Sequence, residues 1–178
     1  MRLLLLLYPM LFFSQTNWEI YTDLNGRFQI DTPGMFVEKT DTLETGIGDI
    51  IYHSFFYQTK QEGEDNEVYI VSYCDYPEGI VFTDSTGMAD EFFQTTIDAS
   101  AESVNGKILY ATDIQLEDNP GKFWRIDYLD GQGIIKTKAF LVKNRYYAIQ
   151  VISYHKDDMS TSTDRFFNSF KLLQLKSE

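Results

Sequence analysis

From residue 18 onward the chain is written in short runs of bulky apolar residues separated by polar punctuation. The clearest region is 121–151, GKFWRIDYLDGQGIIKTKAFLVKNRYYAIQV. Phe123–Tyr128, Ile134–Val142 and Arg145–Ser153 are rich in aromatic and β-branched residues, which suit a pleated surface. Asp130-Gly131-Gln132-Gly133 and Lys143-Asn144 separate them with residues that tolerate the positive φ of tight hairpins. Connections this short make antiparallel neighbours, because a parallel crossover needs about a dozen residues. In the third run Tyr147, Ile149 and Val151 share one face, and Tyr146, Ala148 and Ile152 the other. Apolar residues on both faces predict a sheet covered on both sides.

The same grammar extends outward. Trp18–Tyr21 and Arg27–Asp31 predict an opening hairpin around Asp23-Leu24-Asn25-Gly26, ended by Thr32-Pro33-Gly34. Further strands are expected over Phe36–Thr42, Ile47–Gln58, Val68–Tyr76 and Lys107–Leu116. Glu117–Gly121 forms a turn, and the acidic run Lys60–Glu67 a solvated loop.

Twice the period lengthens. Over Asp84–Val104, apolar positions recur every three to four residues: Ala89, Phe93, Ile97, Ser100 and Val104, widened by Phe92 and Ala101. Asp90, Glu91, Gln94, Asp98 and Glu102 take the other side. Asp84 or Ser85 is the expected cap and Asn105-Gly106 the stop. A second helix is expected from Ser160 to Leu173, with Phe166, Phe170 and Leu173 on one face, Phe167 beside them, and a frayed tail at 174–178. The Phe stripes should pack on the sheet. The expected class is α+β: an α/β/α sandwich with a central, mainly antiparallel sheet flanked by helices on both faces.

Met1–Phe13, MRLLLLLYPMLFF, has an early arginine and a short apolar run. That is the pattern of a signal peptide, expected over residues 1–14, with one domain over 15–178. The run is too short for a stable membrane span.

Composition narrows the chemistry. The 178 residues are 43% hydrophobic and 16% aromatic, enough for a core without disulfides or metals. The formal charge of −12 excludes nucleic acid as the expected partner. The one cysteine, Cys74, sits in an apolar run and reads as a small buried hydrophobe. His53 and His155, the two histidines, have no ligand spacing. There is no glycine-rich phosphate loop and no Gly-x-Ser-x-Gly elbow. No catalytic residue, cofactor or metal ligand is assigned.

Several segments together resemble the PsbP-like superfamily, which includes Ran-binding Mog proteins and small secreted or lipid-anchored bacterial relatives. They are Gly26-Arg27-Phe28-Gln29-Ile30-Asp31-Thr32-Pro33-Gly34, Tyr73-Cys74-Asp75-Tyr76-Pro77, Pro120-Gly121-Lys122-Phe123, Asn144-Arg145-Tyr146-Tyr147 and Phe166-Phe167-Asn168-Ser169-Phe170. In order and spacing they extend over residues 18–173. The resemblance implies a central antiparallel sheet with helices on both faces. Its members stabilise the oxygen-evolving complex, bind a small GTPase, or act as chaperone-like partners. It carries over no residue role. The metal-linked histidines of the plant members have no counterpart here, and the acidity departs from their basic docking surfaces.

The expectation is a noncatalytic, extracytoplasmic binding or assembly-support module with a protein partner in the envelope. The sequence carries no signal for an oligomeric state. Two alternatives stand beside it: a carrier with a small-ligand pocket between sheet and helix, motivated by the aromatic residues, and a hydrolase with an acidic site. Lys136, Lys138, Lys143 and Arg145 form a basic strip in an acidic protein, and are the candidate partner surface.

Overall fold

The computed structural model describes residues 18–46, 48–60, 65–79, 86–154 and 160–174. The expected leader at 1–14, the Asp84/Ser85 cap, His155 and the middle of the acidic loop lie outside these residues.

Alternation of apolar side chains sets a seven-stranded antiparallel sheet. Its strands are β3 (Val37–Thr45), β4 (Gly48–Gln58), β5 (Val68–Asp75), β6 (Lys107–Leu116), β7 (Asn119–Tyr128), β8 (Gly133–Val142) and β9 (Arg145–Ser153). Their order is β3-β4-β5-β9-β8-β7-β6, so the three runs of 121–151 lie side by side and β9 is central. A smaller sheet has the order β1-β2-β10, from β1 (Glu19–Asp23), β2 (Phe28–Thr32) and β10 (Lys171–Leu172). The helices are α1 (Thr86–Ser103) and α2 (Thr161–Ser169).

Each face of the large sheet has its own core. On one, Ala89, Phe93, Ile97 and Ala101 of α1 meet Trp124, Ile135, Leu141 and Tyr146. On the other, Phe28 and Ile30 of β2 and Phe166 and Phe167 of α2 meet Tyr69, Val71, Phe140, Tyr147 and Ile149. The α+β class holds. The second face is closed by the small sheet together with α2, a contribution from β1 and β2 that helix periodicity does not announce.

α1 ends as its sequence requires. Asn105 takes φ 49°, its amide bonds the Glu102 carbonyl at 3.0 Å, and the Gly106 amide bonds that of Ala101 at 2.8 Å. This closes the last carbonyls in a Schellman arrangement. At the start of α2 the Ser160 hydroxyl accepts the Thr163 amide at 3.1 Å. The helix does not run to Leu173. Phe170 turns extended (φ −64°, ψ 128°), and Lys171–Leu172 pair with Gln29 and Phe28. A long-range ladder wins over a local three-to-four residue period that would continue the helix. The expected turn at Glu117–Gly121 is also shorter. Only Glu117 and Asp118 remain in it, and Pro120 and Gly121 already belong to β7.

The expected opening hairpin is clamped to the sheet at its turn. The Tyr147 hydroxyl donates to the Gly26 carbonyl at 2.7 Å, and the Asp23 carboxylate accepts the Gly26 amide. A Cβ on Gly26 would lie 2.6 Å from Tyr73 Cε1 and 2.8 Å from Phe28 Cδ1. Glycine is required there by close approach.

Candidate functional site

Residues 136, 138, 140 and 142 alternate to one face of β8, and 145, 147 and 149 to the same face of β9, because Phe140, Val142, Tyr147 and Ile149 all belong to the core closed by α2 and the small sheet. Lys136, Lys138 and Arg145 therefore share a face. Lys143 lies in the β8–β9 turn with φ 56°. The four cations are placed quite differently on it.

Arg145 is held on three sides. Nε and Nη2 donate to the two oxygens of Asp75, its register partner, each at 2.6 Å, and Nη1 donates to the Asn25 carbonyl at 2.7 Å. Its guanidinium carbon lies 4.7 Å from the centre of the Tyr73 ring. The Asp75 carboxylate beside it holds the guanidinium well above its ordinary pKa. Arg145 thus ties the β1–β2 turn to the large sheet.

Lys138 is half-buried. Its Nζ donates to Asn168 Oδ1 at 3.2 Å and lies over the rings of Phe167 (5.3 Å) and Phe123 (6.0 Å). Burial pushes its ammonium below the usual lysine range, and Asp164 pulls the other way. Lys136 is half-buried near the opposite end of β8 and already engaged. Lys143 is exposed.

Two clefts open along this face. One, of about 430 Å³, lies between β6, β8 and α2 and is lined by Ile114, Leu116, Lys138, Phe140, Phe167 and Phe170. The other, of about 580 Å³, is walled by Arg27, Glu117, Asn119, Lys143, Arg145 and Leu172. The walls are continuous along the chain, stepping from Leu116 to Glu117, from Phe140 to Val142 and from Phe170 to Leu172. Together they form a trough floored by β8, mixed at one end, where Gln115 and Asn168 stand beside Ile114 and Leu116, and charged at the other. The charged end is where the β1–β2, β6–β7 and β8–β9 turns converge. Each contributes a residue in the left-handed region, Arg27 (φ 54°), Glu117 (φ 53°) and Lys143 (φ 56°).

The remaining candidates have structural roles. His53 stacks on Tyr73 with centroids 4.6 Å apart, and its Nδ1 is 3.3 Å from the Thr40 hydroxyl. Cys74 is 2% exposed, and burial pushes its thiol up to about 12, the reverse of an activated thiolate. Among the described residues no group of three or more His, Cys, Asp or Glu side chains converges to hold a metal ion. No helix among them is long and apolar enough to cross a membrane. Within the described part of the acidic loop, Asn66 is buried rather than solvated. Its amide nitrogen donates to the Tyr69 hydroxyl at 2.9 Å and its oxygen accepts from Thr163 Oγ1 at 3.0 Å, which seats the first turn of α2.

Residue order alone missed Arg27, Asn119 and the outer edge of β10. Arg27 sits in the first of the resembling segments, yet reads there as the first residue of a strand.

A seven-stranded antiparallel sheet, with a hairpin and a short C-terminal strand laid over one face, is a PsbP-like fold. The solved structures include a match, the solution structure of cyanobacterial PsbP (CyanoP) from Synechocystis sp. PCC 6803, at a TM-score of 0.58 over 90% of this chain and 95% of that one. The two are 11% identical, so the likeness is one of fold. No protein-family model matches the chain, and no curated protein matches it.

Proposed function

We propose that the protein is a noncatalytic binding or assembly-support module working outside the cytoplasm, exported through residues 1–14 and folded as one domain over 15–178. In this reading it keeps the α/β/α plan, with α1 over one face and α2, beside the small sheet, over the other. The observation that carries the reading is the trough. It is open, partly apolar and walled by three turns. Two of its cations hold the fold, Arg145 on Asp75 and Lys138 on Asn168 and two aromatic rings, while Arg27 and Lys143 line its exposed end. A hydrolytic site would instead need a nucleophile or general base within hydrogen-bond reach of the reacting group. At α1, Phe93, Ile97, Trp124 and Ile126 pack between helix and sheet, leaving a cleft of about 210 Å³ beside Val104, Ile135 and Ile152; the carrier alternative would take the cleft between the sheet and α2 as its pocket.

The candidate surface is accordingly refined to Lys138 and Lys143 along the trough, with Arg145 as its anchor and Lys136 beyond its end. Crosslinking of the tagged full chain in the native envelope, followed by reciprocal purification, tests the module. A stoichiometric protein partner is the expected result. A chain recovered only as a partnerless monomer overturns it, as does turnover of a substrate by the purified protein.

A further inference from the structure

β10 is the edge of the small sheet. The Leu173 amide donates to the Arg27 carbonyl at 2.8 Å, so residue 173 directs its backbone toward β2. In an antiparallel ladder the next residue alternates, which turns the N–H and C=O of Leu172 the other way. Leu172 also lines the 580 Å³ cleft. Among the described residues, an unpaired strand edge therefore faces the trough.

The side chains around this edge have a sense. Arg27 and Lys143 are exposed and have no ion-pair partner among the described residues. Two carboxylates stand with them, Asp75, which is committed to Arg145, and Glu117 in the β6–β7 turn. The charged end thus presents two uncommitted cations against one uncommitted carboxylate, in a chain of formal charge −12. The mixed end lies one strand pleat away, since Phe140 and Val142, and likewise Phe170 and Leu172, are residue pairs i and i+2, about 7 Å apart along a strand.

We propose that the trough docks an extended acidic peptide strand. The strand pairs with the outer edge of β10 through Leu172. It places an apolar side chain against the half-buried Ile114 and Leu116, and a carboxylate two residues along against Arg27 and Lys143. This is strand addition, in which backbone bonds supply affinity and alternate side chains supply specificity. The proposal rests on the binding-module reading and gives its partner a chemistry.

The test uses fluorescein-labelled heptapeptides in a serine–threonine frame, with one leucine and one glutamate two positions apart, in both orders. Binding to the full chain is followed by anisotropy. One order should bind saturably. Replacing its glutamate by lysine, or using the R27E/K143E chain, should each weaken binding at least about tenfold, because the carboxylate loses charge-assisted bonds. Lys107→Glu, on exposed β6 outside the trough, should leave binding unchanged. A peptide N-methylated at the pairing position should lose binding without any change to the protein. Failure of both orders to bind, indifference to R27E/K143E, or equal binding by the N-methylated peptide overturns the proposal. The two readings fail separately. Envelope partners captured equally by the R27E/K143E chain sink the trough and leave the module, whereas peptide binding in a chain without a cellular partner supports the trough and counts against the module.

Discussion

Arg145 and Lys143 are two cations two residues apart, and the structure gives them opposite work. Arg145→Met keeps the aliphatic stem and removes the guanidinium. Three losses follow. The paired bonds to Asp75 lie at 2.6 Å, but Asp75 is 48% exposed, so water screens the pair and rehydrates the carboxylate afterwards. A screened pair of this kind contributes up to about 1 kcal/mol. The 2.7 Å bond to Asn25 is to an exposed residue and adds about 1 kcal/mol. The ring of Tyr73 under the cation adds about 0.5–1 kcal/mol. The expected destabilisation is therefore about 2–3 kcal/mol. Urea unfolding followed by intrinsic fluorescence measures it as a fall in midpoint at constant slope. Lys143→Met should leave the midpoint where it is. In a double-mutant cycle, Asp75→Asn should couple to Arg145→Met by about 1 kcal/mol, the share of the pair alone. If Arg145→Met unfolds at the same urea concentration as Lys143→Met, Arg145 does not clamp the β1–β2 turn and the reading is refuted.

Other substitutions and conditions read the rest of the fold. Phe170, with ring centroids 5.7–6.3 Å from those of Phe28, Phe140 and Tyr147, should cost about 3–5 kcal/mol when cut to alanine, measured by the same unfolding; a loss below about 1 kcal/mol would place the ring outside the core. Gly26→Ala forces Tyr73 and Phe28 to move and should cost about 1–3 kcal/mol; an unchanged midpoint would mean the turn is not pressed on the sheet. Burial raises the Tyr21 and Tyr73 hydroxyls from 10.0 to about 12 and the Cys74 thiol from 9.0 to about 12. Their stabilisation is complete below about pH 9 and is lost as the pH rises toward 12, because the unfolded chain sheds these protons first. Tertiary signal should accordingly hold to about pH 9 and fall as the pH rises toward 12; a fold that keeps its full stability at about pH 12 contradicts it. Cys74 should resist a disulfide thiol reagent in the native state and react only as fast as the protein opens; labelling within seconds contradicts its burial.

The strands were legible because each carries its own evidence. β6 and β9 start and stop where apolar alternation and turn residues say they do, and the Asn105-Gly106 stop of α1 is a local device that a local pattern reveals. β10 was not legible. Phe166, Phe170 and Leu173 keep helical spacing, and only pairing with β2, from the other end of the chain, pulls Lys171 and Leu172 out of it. The basic strip was half-legible. Alternation places Lys136, Lys138 and Arg145 on one face, but only tertiary partners distinguish a committed cation from an available one. Asp75 as the mate of Arg145 follows from the β5–β9 register, which no local pattern specifies. The role of Arg27 depends on three turns meeting in space.

The β2–β10 pair also has a kinetic meaning. It joins Gln29 to Lys171 across most of the chain, one of the longest loop closures the molecule makes. Contacts of such separation are among the last to be rewarded during folding. Phe28 and Ile30 must therefore wait, uncovered on one side, until the C-terminal segment has arrived. Substitutions in β10 should hasten unfolding and leave the folding rate nearly unchanged. The edge beside the trough then closes late and reopens early, and a strand bound there acts as a latch, slowing the rate at which the native state is lost.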